Sequence, residues 1–251
     1  MKAIRNSKAQ SFVLALALGA AGATIYQSAQ IFAQSQVPGA SPVAGEIGAV
    51  KRVITARREY QASLEQLRGQ YVSTNDTEKL RWVEDEVKQF HRVPKHAYVL
   101  DLDVPGPGLR AEQNVPQANE LYRRAMEYKD KGFGNEFLDN QIRAELLFQQ
   151  LISQYPTSNK NADAAYQLGD IYESRAFHQY RRAAVYFERS FQWNPNTHLD
   201  GRVRAARLYD KALNDRPRAT ELYKAVLAYE TDPVRIKEAQ RRLGELKEIA
   251  P

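Results

Sequence analysis

Hydrophobic residues recur every three or four positions along most of this chain, which is the spacing that places them on one face of an α-helix. After residue 116 the pattern comes in successive segments, separated by short polar breaks that contain proline or asparagine. Two segments share an alanine, an aromatic residue four positions later and a proline eight positions further on: Ala144, Phe148, Pro156 and Ala183, Phe187, Pro195. A period of about 40 residues built from two helical patterns is typical of helical-hairpin repeats. The sequence therefore predicts an all-α fold.

A separate pair of helical patterns precedes the repeats. The first has six apolar residues at helical spacing: Val53, Ala56, Tyr60, Leu64, Leu67 and Tyr71. The second follows a polar break at residues 73–77 and ends at Phe90. Two amphipathic helices joined by a short loop predict an antiparallel hairpin over residues 46–91. The first stripe either packs on the next domain or forms an oligomerising coiled coil, and its small number of heptads favours packing.

Two segments interrupt the helical pattern. Residues 34–45 are small and polar and contain proline and glycine, which predicts a flexible linker. Residues 92–115 are rich in proline and glycine and predict an irregular joint between the hairpin and the repeats. Within this joint Tyr98–Val104 alternates apolar and polar residues, as a short extended segment does. The repeat domain then covers residues 116–251 and ends in a capping helix that starts at Asp232-Pro233.

Small and aromatic residues in the repeats have a mechanical explanation. Gly169 and the repeated alanines allow two helices to approach closely, because a larger side chain would overpack the crossing. The aromatic residues, such as Phe187, fill the space between neighbouring hairpins. Trp82 and Trp193 are predicted to be buried anchors of the hairpin and of a repeat end. These residues are expected to support the fold and not to bind a ligand.

The repeats resemble a known family. Leu168, Gly169 and Tyr172 on one predicted helix are followed by the alanine, the aromatic residue and the terminal proline on the next. This order resembles the tetratricopeptide repeat over roughly residues 116–250. Residues 155–172 look most like the subclass of periplasmic and outer-membrane proteins, of the outer-membrane assembly and Tol-Pal coordinator type. The resemblance implies a solenoid of helical hairpins whose inner wall binds protein partners.

In this family the inner wall is lined by residues of the first helix in each repeat. The resemblance places six residues there: Tyr166, Asp170, Glu173, Val203, Arg207 and Asp210. Members that clamp a C-terminal carboxylate carry Lys, Arg and Asn at this face, so the acids Asp170 and Glu173 argue against such a clamp. A mixed groove of this kind fits an extended or helical peptide from a protein partner.

The first 33 residues have the composition of an export signal. Lys2, Arg5 and Lys8 precede an apolar run over residues 12–23, and small residues continue to Ala33. This order of regions is typical of a secretory signal and predicts a periplasmic or cell-envelope location. The alternative is an uncleaved inner-membrane anchor, but polar residues at 27–30 interrupt the run before the roughly 20 apolar residues of a spanning helix.

Charge and cysteine content narrow the function classes. The chain has no cysteine, which excludes disulfides, thiolate catalysis and Cys-ligated zinc. Its net charge is +6, and without the three basic residues of the signal the mature part has 33 basic and 30 acidic residues, a net charge of +3. A nucleic-acid footprint requires clustered basic residues, so a solvated surface explains this charge better.

No catalytic or metal motif appears in the sequence. The four histidines, His91, His96, His178 and His198, have no zinc-binding spacing. Asp101 and Asp103 alone are too few for a calcium loop, and neither a phosphate-binding loop nor a nucleophile motif is present. We therefore expect no enzyme activity, no metal and no cofactor. The expected function is an exported protein-interaction scaffold, with a membrane-tethered structural subunit of an envelope assembly or secretion complex as the alternative. The N-terminal hairpin is expected to add a second contact or an oligomerisation surface.

Overall fold

The structure is a computed structural model that describes residues 42–248. Within this range the secondary structure is helical, apart from one isolated bridge between Gln113 and Ser158, so the predicted all-α class is confirmed. The helices are α1 Pro42–Ser73, α2 Thr77–Arg92, α3 Leu100–Asp103, α4 Pro116–Tyr128, α5 Gly134–Gln154, α6 Asn161–Glu173, α7 Tyr180–Trp193, α8 Gly201–Arg207, α9 Arg216–Tyr229 and α10 Pro233–Glu248. A π-helical turn, Leu208–Ala212, continues α8. The predicted signal or anchor at residues 1–33 lies outside the described residues.

The chain divides into two compact units, Met1–Val50 and Lys51–Pro251. Of the first unit, the structure describes only the beginning of α1. This helix starts at Pro42 and therefore includes the last residues of the predicted linker 34–45. Among the residues described, none of the helices combines the length and the apolar character needed to cross a bilayer.

Capping residues and prolines set several helix starts. Asp76 precedes α2 and accepts a hydrogen bond from the backbone N–H of Lys79 at 3.2 Å, which satisfies one free donor of the first turn. Asp215 does the same for α9, from the N–H of Arg218 at 3.1 Å. Helix α4 begins at Pro116. Proline is favoured in the first turn of a helix, because the backbone N–H groups of that turn have no partner within the helix and the N–H that proline lacks is not needed there.

From α4 to α10 each helix packs on the next helix along the chain. Alanines of the repeated pattern lie at the centres of these contacts and are fully buried, as are Phe148, Phe187 and Tyr223. Gly169 marks the closest approach, because a Cβ atom there would lie 2.7 Å from the ring of Phe187. The predicted role of Gly169 at a close helix crossing is therefore confirmed. Trp193 is buried as predicted, and its Nε1 donates to the carbonyl of Gly106 at 3.0 Å.

Two local predictions are wrong. Residues 100–103 of the predicted extended segment Tyr98–Val104 form the short helix α3. Trp82 is 59% exposed and is not a buried anchor.

The hairpin of α1 and α2 forms, but its apolar stripe does not pack as predicted. Of the stripe on α1, only Leu64 is buried, whereas Val53, Tyr60 and Leu67 are exposed. The contact between the hairpin and the repeat segment is made by α2, which packs on α5. Most of the predicted apolar stripe on α1 is therefore exposed.

Candidate binding surfaces

Two of the six residues predicted for the inner face are not at a surface. Val203 is only 1% exposed and belongs to the core, so its assignment to a binding face is wrong. Asp210 is buried in the π-helical turn, where it accepts hydrogen bonds from the hydroxyl of Tyr223 at 3.2 Å and from Nε of Arg242 at 2.7 Å. Its carboxylate is thus occupied within the chain.

The acids of α6 are paired with cations on both sides. Asp170 lies 2.7 Å from Nζ of Lys129, at the end of α4, and 2.7 Å from Nη2 of Arg204 on α8. Glu173 accepts from Nε of the same Arg204 at 2.9 Å. One acidic edge of α6 therefore links the two helices α4 and α8.

The remaining two predicted residues extend the same system. Tyr166 donates its hydroxyl hydrogen to Asp200 at 2.7 Å, and Nη1 of Arg204 approaches the same hydroxyl at 3.3 Å. Arg207 donates from Nε to Glu238 of α10 at 2.6 Å. We call the six residues that join α4, α6, α8 and α10 in this way the ion-pair ladder: Lys129, Asp170, Glu173, Arg204, Arg207 and Glu238.

The electrostatics of the ladder agree with its geometry. Burial raises the pKa of Asp170, but the hydrogen bond and charge of Lys129, together with Arg204, outweigh it and leave that pKa below its usual value. Burial lowers the pKa of Arg204, and the nearby Glu173 and Asp170 outweigh it and raise that pKa. Asp170 and Arg204 are therefore held in their charged forms by their partners.

Arg204 and Lys129, the two cations that pair with the acids of α6, were not among the residues predicted from the sequence. Lys129 directly follows α4, the two acids lie on α6 and Arg204 lies on α8, so the signal in the sequence was opposite charge on every second helix. Three of the residues predicted to bind a partner, Asp170, Glu173 and Arg207, instead form ion pairs between helices. Their side chains stay partly exposed, which leaves them an edge that a partner can touch.

The hairpin carries a different kind of surface. Val53, Tyr60 and Leu67 follow one another at intervals of seven residues on α1, and all three are exposed. Tyr60 is held in place by an edge-on contact with Phe90, at 5.1 Å between ring centroids, and by a hydrogen bond to Glu86. Trp82 on α2 adds the largest exposed side chain of the hairpin. We call Val53, Tyr60, Leu67 and Trp82 the hairpin surface.

A cleft of about 680 Å³ lies between α1, the joint and helices α5 and α7. Its lining combines apolar residues, glutamine amides and charged side chains. The charged residues are four basic ones, Arg57, Arg58, Lys95 and Arg182, and four acidic ones, Glu65, Asp101, Asp103 and Glu145.

Arg182 is the most deeply placed cation of this cleft. It is 6% exposed, its guanidinium stacks over the ring of Tyr172 at 4.2 Å, and its Nη1 donates to the carbonyl of Lys95 at 3.2 Å. Glu145 lies 4.0 Å away and accepts a hydrogen bond from the hydroxyl of Tyr172 at 2.6 Å. Burial among these groups raises the pKa of Tyr186, on the same helix as Arg182, to about 12.

Lys95 and His91 lie at the end of α2, beside the cleft. Nζ of Lys95 donates to the carbonyl of Phe90 at 2.8 Å and contacts two further carbonyls, so this ammonium caps the helix. Burial, with the charges of Lys95 and Arg143, lowers the pKa of His91 to about 4. His91 is therefore neutral at physiological pH.

Within residues 42–248 no group of three or more His, Asp or Glu side chains has a geometry that could hold a metal ion. Comparison with protein-family profiles, with curated proteins and with solved structures finds no match to this chain. Function is therefore inferred from the residues described above.

Proposed function

We propose that this protein is an exported, non-catalytic scaffold that binds a protein partner in the cell envelope. The proposed architecture is a tetratricopeptide-like solenoid over residues 116–251, preceded by the helical hairpin. The order of packing supports it, because from α4 to α10 each helix contacts the next, as in an array of helical hairpins. The close crossing at Gly169 and the buried alanines support the same architecture.

The hairpin surface is the observation that carries the binding proposal. Contiguous exposed apolar residues are typical of protein-interaction sites, and we propose that the four residues of the hairpin surface, which lie on two adjacent helices, act together as such a site. Tryptophan and tyrosine are enriched among the residues that contribute most to binding free energy. Trp82 and Tyr60 lie on adjacent helices that are tied together by the contact between Tyr60 and Phe90. The partner therefore meets a preformed surface.

The inner face is the second proposed contact. Tyr166, Asp170, Glu173 and Arg207 still expose part of their side chains. A partner there would have to compete with the ion-pair ladder, since each charged group already has a partner in the chain. We therefore expect the hairpin surface to contribute most of the affinity.

Co-purification from envelope extracts tests this assignment. The hairpin variant Leu67→Ser/Trp82→Ser is expected to lose most of the partner that the unaltered protein retains. The inner-face variant Glu173→Gln/Arg207→Gln is expected to retain at least half of it. The hairpin pair changes exposed side chains, so its melting temperature should stay close to that of the unaltered protein. The inner-face pair removes two members of the ion-pair ladder, so a lower melting temperature is expected, and partner recovery is compared at a temperature at which both variants are folded.

A matched control is Phe133→Ser, because Phe133 is 93% exposed and lies outside the hairpin. This variant should recover as much partner as the unaltered protein. Equal partner recovery by the hairpin variant and the control would overturn the hairpin assignment. Loss with the inner-face variant alone would assign binding to the inner face.

Location is part of the proposal. The signal-like composition of residues 1–33 supports export with cleavage, and the same segment supports the alternative of a membrane-tethered structural subunit. N-terminal sequencing of the mature protein separates the two. A start at Thr24 or Gln34 supports cleavage, whereas an intact N-terminus in the membrane fraction supports the tether.

A further inference from the structure

The cleft between α1, the joint and α5 has a volume and a lining that suit a peptide. Its volume of about 680 Å³ lies within the 300–1,000 Å³ typical of binding pockets. Apolar side chains, including Ile54 and Leu146, and the amides of Gln61 and Gln150 are part of its lining. Amide side chains both donate and accept hydrogen bonds, which matches the alternating groups of a peptide backbone.

Charged residues of both signs line the cleft in equal numbers, but short contacts between them are few. Among the described residues, Arg182 is the one basic residue of the lining with a carboxylate within 4.0 Å, that of Glu145. Asp103 is the acid whose charge acts on Arg57 and Arg58. Glu65 lies 3.7 Å from Arg68, which is outside the lining. Arg57 and Arg58 therefore keep donors for a further carboxylate.

Two of the basic residues are available at the mouth of the cleft. Arg57 and Arg58 have no carboxylate within 4.0 Å in the part of the chain that the structure describes. The guanidinium of Arg57 lies 5.8 Å from the ring centre of Tyr98, which orients it without neutralising its charge. These two arginines differ from those of the ladder, each of which is paired.

At the floor, Arg182 has an unused donor. Its Nε is buried and has no hydrogen-bond partner among the described residues, and its Nη1 lies 4.0 Å from a carboxylate oxygen of Glu145. A buried donor without an acceptor costs free energy. The floor therefore favours a further acceptor or negative charge near Arg182.

We propose that this cleft binds an extended acidic segment of a protein partner, with its carboxylates at Arg57 and Arg58 and its backbone along the glutamine amides. The site is separate from the hairpin surface and from the inner face. Charge-assisted and bidentate hydrogen bonds make arginine well suited to carboxylates. The proposal rests on the scaffold function above and specifies the chemistry of the segment that it accepts.

Fluorescence anisotropy with a labelled peptide tests the proposal. The probe is acetyl-Leu-Glu-Leu-Glu-Leu-amide, and the comparison peptide has glutamine in place of both glutamates. The purified protein is expected to bind the acidic probe saturably and at least about tenfold more tightly than the glutamine peptide. The variant Arg57→Gln/Arg58→Gln is expected to bind the acidic probe about tenfold more weakly than the unaltered protein does, and to bind the glutamine peptide with unchanged affinity.

The matched control is Lys51→Gln/Arg52→Gln, which removes the same charge from exposed positions of the same helix outside the cleft. It should change the affinity of the acidic probe less than about twofold. An equal loss in both variants would mean that overall charge and not the cleft attracts the probe. Absence of saturable binding, or complete displacement of the probe by an equal concentration of inorganic phosphate, also contradicts the proposal.

Failure of this proposal is distinguishable from failure of the proposed function. If Arg57→Gln/Arg58→Gln retains the envelope partner while Leu67→Ser/Trp82→Ser loses it, and the probe does not bind, the scaffold function stands and the cleft assignment falls.

Discussion

At the residue scale, the contact between Gly169 and Phe187 shows how one missing side chain permits a helix crossing. A Cβ atom at residue 169 would lie 2.7 Å from two carbon atoms of the Phe187 ring, which is closer than packed carbon atoms come. Phe187 is fully buried and also contacts the ring of Tyr166 at 5.5 Å between centroids. The ring therefore has little room to move away.

Gly169→Ala is expected to lower the free energy of unfolding by about 1–3 kcal/mol through overpacking. Gly244→Ala is the control, since Gly244 also lies in a helix but a Cβ atom there would meet nothing within 4 Å. That substitution should stabilise by up to about 1 kcal/mol, because alanine is the better helix former. Urea denaturation of both variants measures the change in the free energy of unfolding and its sign. If Gly169→Ala stabilised the protein, the close helix crossing at Gly169 would be contradicted.

The same ring gives a second prediction at this scale. Phe187→Ala removes a fully buried aromatic side chain between neighbouring hairpins and should cost about 3–5 kcal/mol. Thermal melting measures the effect. An unchanged melting temperature would mean that Phe187 is not part of the core between repeats.

His91 predicts a pH dependence of stability. Its pKa is about 4 in the folded chain, below its usual value of 6.5, chiefly because of burial. The unfolded chain therefore binds a proton that the folded chain does not, so the contribution of His91 is complete above pH 6.5 and is lost as the pH falls from 6.5 to 4. Because the ring is only partly buried, we expect a loss of about 1 kcal/mol.

Urea denaturation between about pH 7 and pH 4 measures this contribution. His91→Gln should lose less stability over that interval than the unaltered protein. His198→Gln, at an exposed position, should follow the unaltered protein. Parallel curves for all three proteins would show that His91 does not titrate as described.

At the scale of elements, the ion-pair ladder links α4, α6, α8 and α10, which are not consecutive in sequence. Arg204 contacts Glu173 and Asp170 of α6, and Asp170 in turn contacts Lys129 at the end of α4. These groups are partly buried, so water screens them less than it screens a surface pair. Removing the shared cation leaves two neighbouring carboxylates facing each other.

Arg204→Met is expected to destabilise the protein by about 1–3 kcal/mol for this reason. Arg123→Met is the matched control, because Arg123 also contacts two glutamates but is exposed on α4. The control should change stability by no more than about 0.5 kcal/mol. Equal effects of the two substitutions in urea denaturation would contradict a structural role for the ladder.

Helix starts were predictable where one residue type decides them. Proline fixes φ and lacks an N–H, so Pro116 and Pro233 open α4 and α10 as expected. The alternation at Tyr98–Val104 was misleading, because four residues of that segment form a helical turn and Val104 is buried against the repeats. A short alternating stretch does not distinguish one helical turn from a strand.

At the scale of the whole molecule, the core was more predictable from the sequence than the surface. The buried alanines and aromatic residues follow from helical periodicity, because periodicity depends on neighbours a few positions away. Val203 and Asp210 are buried and Trp82 is exposed because of which helices pack together. The spacing of apolar residues along the chain does not specify which helices these are. Arg204 was missed for the same reason, since its partners lie on another helix.

The surfaces that remain have distinct chemical characters. The charged residues predicted for the inner face are already paired, the residues of the hairpin surface are apolar, and the cleft has two arginines with no carboxylate within 4.0 Å among the described residues. A scaffold with these surfaces would bind through the hairpin and select acidic segments in the cleft. The proposal thus assigns partner recognition to the N-terminal part of Lys51–Pro251 and structural support to the repeats.

Site-specific photo-crosslinking in living cells tests the binding role of the hairpin most directly. Benzoylphenylalanine is placed at position 82 and, as a control, at position 123, which is exposed on α4. We predict a discrete adduct with a partner protein from position 82 and none from position 123. Absence of an adduct at position 82 in a correctly folded and exported protein, or the same adducts at both positions, would contradict the account.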